Sequence, residues 1–202
     1  MTIYTIVKFV HVCGAIGYFA AMGIWLFGLM SIRRAQRVEH VRVLASLVGR
    51  LGPLFGISVL LILVAGLYMA ITAWGLQTGW IAVTLVSLAL IAPLGGMMIE
   101  PRRRVIARLA GEEPDGPLSE ALAQRTHDPL LLTTVLTVTT LLLGIVFLMT
   151  NKPPLVVSLI VMACALMIGL IWSALVSQST RTRERTVAAG VTHTNEHVGY
   201  FE

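Results

Sequence analysis

Charge is scarce in this 202-residue sequence: Asp, Glu, Lys and Arg make up 12% of it, hydrophobic residues 56%, and the mean hydropathy is +0.85. A soluble domain is nearer a quarter charged, so the balance excludes an ordinary water-soluble fold and indicates an integral membrane protein. Cysteine is almost absent. Cys13 and Cys164 both lie in apolar runs, which excludes a disulfide framework and a CxxC metal or redox motif. There is no glycine-rich phosphate loop and no nucleic-acid module, so the net charge of +5 needs another explanation. The basic residues cluster at the ends of apolar runs, where they report orientation and contact anionic lipid. A basic n-region is also lacking before the first apolar run, and Arg33-Arg34 follow it. That pattern predicts an uncleaved span, not a signal peptide.

What is present is five apolar runs. They predict an all-α integral membrane bundle with spans at about 3–30, 51–74, 80–98, 130–150 and 155–176, since about 20 apolar residues suffice for a helix to cross. A polar tail, 177–202, follows. The first run exceeds the crossing length and must tilt or project. Between the first two spans, Leu44, Leu47, Val48 and Leu51 have helical spacing, so helix is expected before the second span begins. Pro53 marks a first turn or a kink. Gly52 and Gly56 form a GxxxG pair suited to close helix packing, including homo-oligomer contact. Trp74 and Trp80 flank a short uncharged turn and read as an interfacial belt. Gly111 to Pro117 is the strongest break. Ser119 is placed to cap a short helix leading to His127-Asp128-Pro129. Thr133, Thr137, Thr140 and Gly144 share a stripe suited to packing or to lining a narrow cavity.

Every arginine falls in the first connection, the third connection or the tail, which alternate onto one side; Lys8 and Lys152 fall on the other. The positive-inside rule then puts the N-terminus outside and the C-terminus in the cytoplasm. The compartment expected is a bacterial inner membrane, with anionic lipid at the cytoplasmic arginines, notably Arg102-Arg103-Arg104.

Lys8 and His11 lie three residues apart inside the first run and so share one helix face. Ionisable groups at membrane depth are costly and are functional candidates by default. The competing structural reading has Lys8 snorkelling to the headgroups and His11 bonded to a neighbouring helix. The opening Lys8-Phe9-Val10-His11-Val12-x-Gly14-Ala15 resembles a bacterial family of predicted integral membrane proteins, domain of unknown function 2269. His127-Asp128-Pro129 and Val146-Phe147-Leu148-Met149-Thr150-Asn151-Lys152-Pro153 are similar to later motifs of that family, and the resemblance spans about residues 3 to 153. The same opening is distantly similar to copper-resistance D and membrane protoporphyrinogen-oxidase-like helical proteins. That second resemblance implies a role for His11 as an axial ligand of haem b, with Lys8 as partner for a propionate, and copper as the weaker alternative.

Depth limits the ligand set. At 1.5 Å per residue, His11 lies roughly 10 Å below Tyr4. His127 lies at the far surface, about 20 Å deeper in a core of about 30 Å, too far to share a haem with His11. Sulfur groups match the level of His11: Met69, Met162, and the cysteines Cys13 and Cys164. Thioether ligation suits haem, and thioethers or thiolates suit copper(I). The same residues also serve as ordinary packing in apolar helices. His193 to His197 spells H-x-x-E-H, but in a polar tail with no third ligand, so the spacing is read as coincidence. His127-Asp128 is read as a helix cap before a proton relay. Three function classes remain: a non-enzymatic accessory or binding protein with a site at His11, a haem- or copper-binding redox protein, and a proton-linked transporter. The transporter lacks paired broken helices in two matched halves.

Overall fold

The computed structural model describes the backbone of residues 2–198 and the side chains of 2–178. Five helical stretches are long and apolar enough to cross a membrane. The first is α1 (Ile3–Arg34), a continuous helix with Arg33 and Arg34 in its last turn, where cations complement the exposed carbonyls. A separate helix, α2 (Val38–Arg50), follows; it buries Val38, Val41, Ala45 and Val48 and turns its charged residues outward. It ends at Leu51, and α3 (Gly52–Met69) starts with Pro53 in its first turn. Proline is tolerated there because the first-turn N–H groups have no intrahelical partner. The expected helix ahead of the second span is therefore present, and Pro53 marks a start.

Both ends of the hairpin formed by the second and third spans widen into π turns. The first, Ala70–Trp74, continues α3 and closes where the Gly75 N–H donates to the Ala70 carbonyl at 2.8 Å. Gly75 has φ +79°, a conformation that ends the helix and suits glycine. The second, Leu94–Ile99, follows Pro93 at the end of α4 (Gly79–Pro93). Pro93 cannot donate to the carbonyl four residues back, which loosens the helix at that point. Beyond it, α5 (Glu100–Glu112) leaves the apolar run, and α6 (Glu120–Thr126) is a short helix capped by the Ser119 hydroxyl, which accepts from the Leu122 N–H at 3.2 Å.

The central span is α7 (Pro129–Asn151). Over half of its apolar window is buried, 56%, against 17 to 33% for the other four. It packs along α8 (Leu155–Val198) and against α4, while α1 packs along α3. Elsewhere large side chains such as Phe9, Phe27, Ile160 and Trp172 point outward. So much exposed apolar surface on a bundle whose backbone is bonded within its helices is the form a bilayer demands. The polar tail from residue 177 continues α8 as helix, and the side chains of His193 to His197 lie outside the described residues.

The two ends of the bundle differ. At one, Trp74 and Trp80 meet edge to face at 5.9 Å, and the Lys152 ammonium sits 4.2 Å from the Trp74 ring centroid. Lys152 itself ends α7 with φ +49°. This is an aromatic belt reinforced by a cation–π contact. The other end holds the arginines. There Arg42 donates to the carbonyls of Ala110 (2.7 Å) and Glu113 (2.6 Å) and pairs with Asp115 (2.7 Å). An isolated antiparallel bridge joins Arg37 to Pro117. Together these contacts fasten the first and third connections to each other.

Candidate functional site

The pattern that builds the α1–α3 seam is small residues one turn apart. An added Cβ on Gly14 would stand 3.0 Å from Leu61 Cβ, and one on Gly17 would stand 2.8 Å from Ser58 Oγ. Both are closer than ordinary contact, so glycine alone permits the helices to come this near. One turn nearer the tryptophan end, His11 takes the corresponding place. Its ring lies on Gly66 of α3, where a Cβ would meet Cε1 at 3.0 Å and Nδ1 at 3.2 Å. Its Nδ1 is 3.0 Å from the Ile62 carbonyl oxygen. A carbonyl only accepts, so Nδ1 carries the hydrogen and donates it. In the neutral ring the lone pair is then on Nε2, as in histidines whose second ring nitrogen binds a metal.

His11 is half-buried, and Lys8, one turn away, is exposed. The sulfur groups are spread over several surfaces. Met69 is half-buried on α3, three residues beyond Gly66, and so lies on the same side of that helix. Met162 is buried in the α7–α8 seam instead, where a Cβ on Gly144 would stand 3.1 Å from its sulfur. Cys13 and Cys164 are free and exposed. Among the described residues, no three of His, Cys, Asp and Glu gather closely enough to hold a metal ion. The structure thus joins His11 to α3 at Gly66 and Ile62 and engages Met162 elsewhere.

The threonine stripe packs. A Cβ on Gly169 of α8 would stand 2.7 Å from Thr137 Cα and collide with Thr140 Oγ1. Thr140 returns its hydroxyl to the carbonyls of Leu136 and Thr137. The hydroxyls of Thr84 and Thr137 are buried without a hydrogen-bond partner.

At the arginine end, His127 and Asp128 divide their work. His127 ends α6, with Nδ1 3.0 Å from the Ala123 carbonyl. Asp128 caps α7 by accepting from the Leu130 N–H at 2.8 Å and pairs with Arg102 at 3.0 Å. The capping reading of this pair is what the geometry shows. The neighbouring basic run shares one carboxylate: Arg103 and Arg104 both bond Glu100, at 2.6 and 2.7 Å. Glu100 lies just past the last apolar residue of its span. Hydrogen bonding from Arg103, then from Arg104, outweighs partial burial and holds its carboxyl at about 2; the same bond raises Arg103.

Between α5, α6 and the start of α7 is an open cleft of about 540 Å³. Arg102 and Arg125 line it on the polar side, with Pro101 and Leu130 among its apolar walls. Arg125 is exposed and has no ion pair among the described residues. Sequence reasoning passed it over, because a lone arginine in a short helix carries no motif; its place beside the Asp128 cap comes from the turn at His127.

Among curated proteins and solved structures, nothing matches the chain. A family profile described as "Predicted integral membrane protein (DUF2269)" matches residues 5–153, which include His11, Asp128 and Lys152. The chain belongs to that family.

Proposed function

We propose that this protein serves as a non-enzymatic accessory or binding protein of a bacterial inner membrane, with His11 as its ligand-contacting group. The observation that carries the reading is the seat of that histidine. A glycine makes room for the ring, a backbone carbonyl orients it through Nδ1, and Nε2 has no hydrogen-bond partner among the described residues. Packing alone does not call for so specific an arrangement, because an apolar side chain fills such a seam without a polar group to satisfy. The arginine distribution supports an N-terminus outside, which places His11 in the outer leaflet.

Haem b is the cofactor this donor set suits better than copper. His11 offers one axial nitrogen, and Met69, on the same side of α3 as Gly66, is the sulfur best placed to join it. Copper(I) favours the thiolates Cys13 and Cys164, and both are exposed. Anionic lipid at the arginine-rich end belongs to the same reading. So does self-association through Gly52 and Gly56, where an added Cβ would meet nothing within 4 Å.

The test is an absorption spectrum with metal analysis of protein purified from its native membrane. The expected result is a Soret band that His11→Ala abolishes while the tryptophan-fluorescence melt stays cooperative. A band that survives His11→Ala overturns the site. A colourless, metal-free and folded preparation removes both cofactors.

A further inference from the structure

We propose that the cleft between α5, α6 and the start of α7 is a binding site for one anionic phospholipid, its phosphate held by Arg125 and Arg102. This deepens the lipid part of the reading above and does not depend on His11. The position of the cleft argues first for a lipid. Apolar sequence ends at Ile99 on one wall and begins again at Leu130 on the other. The opening therefore lies at headgroup level, with Pro101 and Leu130 on the walls next to the ends of those runs.

Charge argues next. The basic run that looks most attractive in the sequence is elsewhere: Arg103 and Arg104 share the single carboxylate of Glu100, and neither lines the cleft. Arg125 has no acidic partner among the described residues, yet it lines the cleft. Arg102 lines it too, anchored by Asp128 through Nε and by the Met98 carbonyl through Nη1. The lining thus carries two guanidinium groups against one carboxylate, and Gln124 adds an amide. An anionic phosphodiester completes that balance, and a zwitterionic headgroup does not. Asp128 also limits the site to small charge, because a dianion would face its carboxylate.

The experiment measures lipid bound to the purified full chain in detergent by native mass spectrometry. The probes are short-chain phosphatidylglycerol, short-chain phosphatidylcholine and free glycerol phosphate. The expected result is one saturable phosphatidylglycerol per chain, little phosphatidylcholine, and affinity about fivefold weaker in Arg125→Gln, the worth of one basic residue near a membrane surface. Arg125→Lys should restore most of the loss. Arg108→Gln, exposed and outside the cleft, is the control and should leave the site unchanged. Equal weakening by Arg108→Gln and Arg125→Gln would overturn the cleft while leaving general attraction to anionic lipid intact. Glycerol phosphate binding as tightly as the lipid would overturn the lipid assignment in favour of a soluble phosphate. No preference for phosphatidylglycerol over phosphatidylcholine would overturn both the cleft and the lipid part of the broader reading.

Discussion

The seat of His11 can be tested without knowing any ligand, by asking whether Gly66 and His11 are energetically coupled. Gly66→Ala alone sets two effects against each other. Alanine in a helix is favoured over glycine by about 0.5–1 kcal/mol. The added Cβ would stand 3.0 Å from His11 Cε1 and 3.2 Å from Nδ1, so the ring must retreat by several tenths of an ångström. The bond from Nδ1 to the Ile62 carbonyl, 3.0 Å long, then stretches toward the limit of a hydrogen bond. Losing it costs about 1 kcal/mol. The single variant is therefore expected to be nearly neutral. In a His11→Ala background the ring is gone and only the helix gain remains, so Gly66→Ala should stabilise. The expected coupling is the value of the lost bond, about 1 kcal/mol, well above the roughly 0.3–0.5 kcal/mol within which independent sites add. Unfolding in mixed detergent micelles, followed by tryptophan fluorescence, measures all four corners of the cycle. A coupling below about 0.3 kcal/mol would show that His11 does not rest on Gly66, and the ligand-site reading would lose its structural basis.

Two further predictions concern the frame around the site. Gly169→Ala should destabilise by about 1–3 kcal/mol, the usual result of overpacking, because its Cβ would stand 2.7 Å from Thr137 Cα, a backbone atom that cannot step aside. Gly23→Ala, facing open space on α1, should be neutral or slightly stabilising; matching melting temperatures for the two variants would contradict the α7–α8 seam. At low pH, Glu100 is the group to watch. Its folded pKa of about 2 lies below the ordinary carboxylate value, so its contribution is fully present above that ordinary value and is lost as pH falls toward 2. Melting temperature should decline through that window, and Glu100→Gln should flatten the decline; an unchanged profile would refute the pairing with Arg103.

The bundle was legible because its physics is local. Each apolar run is long enough to cross and becomes a helix, and the glycine and proline breaks fall where the chain turns. Ser119 and Asp128 cap as their spacing predicts, since a cap involves only residues two or three positions away. The Glu100 pairs are equally local, at i+3 and i+4 on one helix. The π turns were not legible: Pro93 and the following glycines announce a weakened helix but not how the chain re-forms its hydrogen bonds. The partner of His11 was hidden for a different reason. It is a backbone carbonyl, which any residue could supply, and the specific part is the absence of a side chain at Gly66. The threonine stripe left packing and cavity both open. Only the helix opposite it, with Gly169 in register, selects packing. Met162 turns to Gly144 in the α7–α8 seam, a choice set by rotation about the helix axis, and rotation is not written in a run of uniformly apolar residues.

The contacts of Arg42 impose an order of assembly on the chain. Arg42 and Asp115 stand 73 positions apart, and the hairpin of the second and third spans lies between them. Neither that ion pair nor the bridge from Arg37 to Pro117 can form until the hairpin has crossed the bilayer and returned. During synthesis, the first connection therefore waits with its guanidinium groups in water. It acquires its carbonyl partners only when residues 110–117 arrive on the same side. The clasp records completed insertion: a chain whose third span failed to enter would lack it, and α2 would keep its packing on α1 but lose its contacts with α5.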